Sequence, residues 1–229
     1  MKPEDFKPIH SKEERITHVY DRVWFIPHGK FANSQVFAFP GWSHADFFGN
    51  DNPISLEYCS GNGAWIASKA MQHPSQNWVA VEMKFDRVRK IWSKIKNHKL
   101  DNLIVICGEG LFATSTYFED ASISEVYINF PDPWPKKRHI KNRIIQDPFM
   151  LQMGRILKPL APLNFVTDDA VYSDWFIDVM LRSNLFESHY GVPYYSESDD
   201  QYGTSYFNEL WRSKGKQIRY HKVQNKRIS

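Results

Sequence analysis

Five carboxylates stand at matching places along this 229-residue chain: Glu57, Glu82, Glu109, Asp132 and Asp168 each close or follow a short apolar run. Carboxylates accept hydrogen bonds and attract cations, and they repel phosphate. Five of them on one rim suit a cationic ligand, or the N–H and O–H groups of a nucleoside. Glu57 leads into Cys59-Ser-Gly61-Asn-Gly63, whose glycines permit a tight turn and close approach of backbone to a ligand. Glu82, about 20 residues on, can take both hydroxyls of an adenosine ribose. Such a turn also fits a nicotinamide dinucleotide, but the third glycine of G-x-G-x-x-G falls at Ile66. Glu57 would repel a pyrophosphate, whereas S-adenosyl-L-methionine carries an ammonium and a sulfonium. The acids favour S-adenosyl-L-methionine, with NAD as the alternative.

Asp132 sits in YINFPDPWPKKRHIKNR, residues 127–143, where three prolines within five residues exclude strand and helix interiors. The prolines are expected to hold Asp132 in a stiff loop, with Trp134 packed under it. A basic run follows. Residues 136–143 hold five Lys/Arg and no acid, and residues 210–229 hold seven and no acid. Removing those twelve from the 29 basic residues leaves 17 against 26 acids, a net of −9. An acidic body with two basic segments points to a polyanion such as RNA. Lys136, Lys137, Arg138, Lys141 and Arg143 are expected to meet phosphates, and the tail from Arg212 to Arg227 a second backbone segment.

Repeated strand and helix patterns position these groups. Strands are expected at 54–58, 77–83, 102–108, 124–130 and 161–168, and helices at 63–72 and 85–98. A further helix opens at Asp147-Pro148, read as cap and first turn, and another covers 170–183. Alternation of this kind means βαβ units and a parallel sheet covered on both faces, with ligands at the carboxyl ends of the strands. Residues 11–29 are expected to form a short amphipathic helix ending near Pro27, and 31–53 are aromatic and turn-rich. We expect an extension over 1–50, then one α/β domain over 51–229 with a basic tail.

No stretch nears the roughly 18 apolar residues of a membrane span, and residues 1–15 lack a signal peptide's apolar core. The two cysteines, Cys59 and Cys107, form no C-x-x-C pair, which argues against a disulfide scaffold or a zinc site. A cytoplasmic protein without a metal is expected.

Glu57-Tyr-Cys-Ser-Gly-Asn-Gly63, Val81-Glu82, Phe130-Pro-Asp-Pro-Trp-Pro-Lys136-Lys-Arg138-His139 and Thr167-Asp168 closely resemble the bacterial tRNA (guanine-N7-)-methyltransferases of the TrmB type. The match in order and spacing runs from about residue 54 to 220. The resemblance implies a class I, Rossmann-like methyltransferase fold: a seven-stranded, mostly parallel sheet with one antiparallel strand near an edge. It implies S-adenosyl-L-methionine as donor and the variable-loop guanine of tRNA, position 46, as acceptor. It implies cofactor contacts from Glu57, Gly61, Gly63, Glu82, Glu109 and Asp132, the last also in the active site. It implies substrate contacts from Lys136, Arg138, His139, Asp168, Thr204 and Glu209. No obligate protein partner is implied, and the chain is expected as monomer or homodimer. Departures are Cys59 and Ala80 where the family has glycines, and a C-terminal acid that is either moved to Glu209 or lost to Asn208. Cys59 fits the turn if its φ is negative. A small-molecule methyltransferase and a non-catalytic RNA-binding subunit are the other readings open to the sequence.

Overall fold

The apolar runs of the sequence fold as parallel strands with helical crossovers. The computed structural model describes residues 1–7, 17–26 and 39–226, in two units, Met1–Tyr117 and Phe118–Ser229. The first holds β1 (His18–Tyr20), β2 (Val23–Phe25), β3 (Ile54–Tyr58), α1 (Ala64–Gln72), β4 (Asn77–Glu82), α2 (Phe85–His98), β5 (Leu103–Cys107) and α3 (Gly110–Tyr117). Its strand order is β1-β2-β5-β4-β3, parallel throughout except for the β1–β2 hairpin. Every residue of β3 and β4 is buried, as expected of strands covered on both faces. Right-handed crossovers that step the same way put α1 and α2 on one face, where they pack together. The parallel register carries Glu57, Glu82 and Glu109 to one edge.

The second unit holds β6 (Ile123–Asn129), α4 (Asp147–Ile156), β7 (Pro162–Thr167), α5 (Ala170–Ser183), β8 (Phe186–Ser188), α6 (Tyr206–Ser213) and β9 (Arg219–Asn225). Its order is β6-β7-β9-β8. β6 and β7 are parallel, and β9 runs antiparallel to both β7 and β8, one strand in from the edge. Asp132 and Asp168 follow the carboxyl ends of the parallel pair.

Three expectations are corrected. Nine strands are present among the described residues, because the hairpin β1–β2 adds two to the expected seven. That hairpin replaces the helix expected over 11–29, insofar as those residues are described. Asp21 and Arg22 both take positive φ (45° and 70°), the geometry of a two-residue hairpin turn. Trp24 is fully buried beside β5, so pairing and burial override a helical spacing of apolar residues. Lastly, the expected basic tail is largely α6 and β9, a strand paired on both sides. The turn-rich residues from 39 onward supply an aromatic cluster, Phe39, Trp42 and Phe47, around Trp24 and Tyr117. α4 begins one residue early, with Gln146 as its cap.

β9 also carries a buried base. His221 is 1% exposed; its Nδ1 donates to the Tyr194 carbonyl (2.9 Å) and its Nε2 accepts from Ser173 Oγ (2.9 Å). Burial, aided by the Arg219 charge and opposed by the Tyr194 bond, pushes its pKa down to about 4. Below about pH 6.5 an unfolded chain protonates this histidine while the folded one does not, until about pH 4. Stability is therefore expected to fall as pH drops through that window, by about 3 kcal/mol from this group. Denaturant titrations at several pH values should give a flatter profile for His221→Gln than for the unsubstituted chain, since titrating carboxylates are common to both.

Candidate active site

The first unit builds a turn between β3 and α1. Cys59, Gly61 and Gly63 all have positive φ, at 62°, 56° and 72°. The negative φ with which Cys59 would fit the turn is thus not found. A left-handed non-glycine residue costs roughly 1–2 kcal/mol. The N–H of Cys59 donates to the Val81 carbonyl of β4 at 3.0 Å and holds the residue there. Gly63 is required twice over: a Cβ would lie 2.6 Å from Ile91 Cγ1 of α2, and its φ is left-handed. Ala80, the other glycine replacement, is fully buried in β4 opposite Glu57, so the sheet accommodates its methyl.

Three acids frame this turn. Glu57 is 2% exposed at the end of β3. Glu82, 5% exposed, accepts the Gly61 N–H at 3.0 Å on one oxygen and the Lys84 N–H at 2.8 Å on the other. Each oxygen retains a lone pair for a further donor. Glu109 accepts from Leu111 and Phe112 N–H (2.9 and 2.7 Å), and so caps α3. That cap explains a helix whose sequence, GLFATSTY, carries no amphipathic spacing. Burial and the nearby Glu82 charge push the Cys107 thiol up to about 12, which makes it an unreactive neighbour. Buried carboxylates at a tight glycine turn fit a small cationic adenosine cofactor.

In the second unit β6 ends in Phe130, whose N–H donates to Val166 O (2.9 Å) and whose φ is 46°. Asp132 is exposed, and its carboxylate makes no hydrogen bond or ion pair among the described residues. It therefore does not pin its own loop. Trp134 (φ 43°) packs edge-on against His139, 5.7 Å between ring centres, within the loop as expected. His139 Nε2 accepts from Arg138 Nε at 3.1 Å. Lys136, Lys137, Arg138 and Lys141 are exposed, the latter three on a 3₁₀ turn, Lys137–Asn142. Arg143 departs from the expected phosphate contact: it is 4% exposed.

Asp168, after β7, pairs with Lys216 Nζ at 2.5 Å, and Lys216 also lies 4.3 Å from the centre of the Trp211 ring. Thr204 Oγ1 donates to Glu209 Oε1 at 3.0 Å, and both residues are exposed. Asn208 is buried, bonded to Tyr220 Oη and to Arg212 Nε. Glu209 is accordingly the acid that accompanies Thr204. Lys216 was missed as an individual residue, and Arg143 was taken for a phosphate contact, because a charge inside a basic run reads as one more exposed cation.

A family model described as a putative methyltransferase matches residues 51–220. A tRNA (guanine-N(7)-)-methyltransferase of Chlamydia muridarum is 44% identical over 218 residues, covering 95% of each chain. One of Staphylococcus saprophyticus is 29% identical over 180 residues, 77% of this chain and 85% of its own. Among solved structures, an antibiotic-related methyltransferase superposes with a TM-score of 0.56 at 17% identity, over 78% of this chain and 89% of that one. A SAM-dependent methyltransferase from Aquifex aeolicus gives 0.53 at 13% identity, over 77% and 85%. At such identities the likeness concerns the fold, a Rossmann-like methyltransferase fold.

Proposed function

The chain belongs to the tRNA (guanine-N(7)-)-methyltransferase family, and on that premise we propose that it methylates N7 of the variable-loop guanine, position 46, of tRNA. The observation that carries this reading is 44% identity spread over 95% of both chains, which spans the glycine turn and the proline loop alike. S-adenosyl-L-methionine, when bound, supplies an electrophilic methyl group on sulfur. Glu57 is proposed to face its ammonium, the turn at 59–63 to receive it closely, and Glu82 to accept from the ribose hydroxyls. Glu109 is proposed to stand beside the adenine while capping α3.

Guanine N7 has an in-plane lone pair and needs no deprotonation, so the chain's task is alignment and exclusion of water. Positioning of this kind is worth on the order of 7 kcal/mol or more in well-oriented cases. Asp132 is proposed to accept from guanine N1–H and the exocyclic amine, and to follow the positive charge that the base gains. Adenine, without a donor at N1, would leave that carboxylate unpaired. Lys136, Arg138, His139, Asp168, Thr204 and Glu209 are proposed to hold the substrate. The exposed cations beside Asp132 support a polyanionic substrate over a small molecule. A base engaged in tRNA tertiary pairing has to be turned out to reach such a site. No helix among the described residues is long and apolar enough to cross a membrane.

Incubation with labelled S-adenosyl-L-methionine and a tRNA transcript, then strand cleavage specific for N7-methylguanosine, tests the reading. Cleavage is expected in the variable loop. Its absence overturns the proposal, and cleavage elsewhere keeps the chemistry while changing the target.

A further inference from the structure

Arg143 is the one member of the 136–143 basic run that is buried. Its Nε donates to the Pro133 carbonyl at 2.8 Å, directly after Asp132. Its guanidinium lies over two rings of α5, 4.9 Å from the centre of Tyr172 and 5.4 Å from that of Trp175. No carboxylate pairs with it among the described residues, so its charge is met by a carbonyl and two ring faces. α5 and the segment after Arg143 are clasped at further points: Trp175 Nε1 donates to Ile145 O at 2.7 Å, and Arg182 pairs with Asp147 at 2.8 Å. At its other end α5 is capped by Asp169, whose carboxylate accepts the Tyr172 N–H at 2.8 Å, immediately after Asp168. One helix therefore carries Asp168 at its start and, through Arg143, holds the loop of Asp132.

We infer that Arg143 is a positioning residue for guanine methylation: it sets the Asp132 carboxylate at a fixed place relative to Asp168 and contacts no RNA phosphate. The inference rests on the activity proposed above. Lysine retains the charge but lacks both the Nε donor and the planar group that two rings clasp. A displacement of about 1 Å at a reacting centre can cost on the order of a hundredfold in rate.

Arg143→Lys is the test, in the full-length chain with tRNA and S-adenosyl-L-methionine. Its kcat is expected to fall roughly ten- to a hundredfold, with the Kd for tRNA and its salt dependence unchanged. A phosphate contact would instead weaken tRNA binding and reduce the salt slope by about one, which overturns the inference. So does a lower melting temperature with kcat of the folded enzyme intact. Combined with Asp132→Asn, Arg143→Lys is expected to add little further loss, since it acts through that carboxylate; multiplying effects would overturn the inference. If Arg143→Lys does not fold, Trp175→Leu removes one ring from the clasp and is expected to show the same pattern. Failure of the unsubstituted chain to form N7-methylguanosine would strike the proposed activity, whereas an active chain with an equally active Arg143→Lys strikes only this inference.

Discussion

Asp132→Asn is expected to slow guanine methylation by about two to three orders of magnitude with the melting temperature unchanged. The two halves of that expectation come from separate observations. Asp132 is exposed and bonds to nothing in its loop, so an isosteric amide removes no interaction of the folded chain. Substitutions of that kind stay within roughly 0.5 kcal/mol of the original stability. The loop is held elsewhere, by the Phe130 N–H on Val166 and by Arg143 on Pro133. The loss in rate comes from the proposed donors of guanine. N1–H and the exocyclic amine are both proposed to point at the carboxylate, and an amide would present one of them with an N–H instead of a lone pair. The amide is also neutral when the base turns cationic. Loss of one such electrostatic partner costs about 3–4 kcal/mol in comparable sites. Single-turnover methylation with both substrates saturating, alongside thermal melting, checks it. Normal turnover would remove Asp132 from the active site; a lowered melting temperature would return it to a structural role.

The sequence yielded the elements whose pattern is local and left out those made by distant partners. β3, α2 and α5 have the bounds expected from the local pattern, and α2 buries Val88, Ile91, Trp92 and Ile95, which its helical spacing selects. β1 and β2 were read as helix because Val23 and Trp24 owe their strand to β5, some 80 residues away. β9 was read as a tail because the Lys and Arg of Arg219–Asn225 mask a strand paired on both edges. Within the candidate site, the identities of the acids were legible, because a carboxylate after an apolar run is a pattern. Their states were not. Glu109 caps its own helix, a local state hidden by the absence of amphipathic spacing there, whereas Glu82 is bound to the glycine turn and Asp168 to Lys216, partners that only the fold brings within reach. Cys59 shows the same limit in the backbone. The residue type leaves its φ open, and in the fold it is left-handed, with its N–H paired to Val81.

Glu57→Gln is expected to weaken S-adenosyl-L-methionine binding about a hundredfold, equivalent to about 2.7 kcal/mol, without affecting tRNA binding. Glu57 is 2% exposed at the end of β3, where a charge is screened little by solvent. A glutamine there keeps the shape and loses the charge proposed to meet the cofactor's ammonium. Thermal stabilisation by the ligand reads this directly. At about 100 times the unsubstituted Kd, bound ligand adds about 2.7 kcal/mol to the original chain and about 0.4 kcal/mol to the variant. Glu82→Gln makes the contrast. Glu82 accepts N–H groups from Gly61 and Lys84, so an amide nitrogen facing either one would loosen the turn as well as the ribose site. That variant should lose stability before any ligand is added. NAD separates the two cofactor readings in the same assay. If charge at Glu57 selects the ligand, the original chain gains nothing from NAD; an equal gain from both ligands in both chains would mean that this carboxylate does not choose the cofactor.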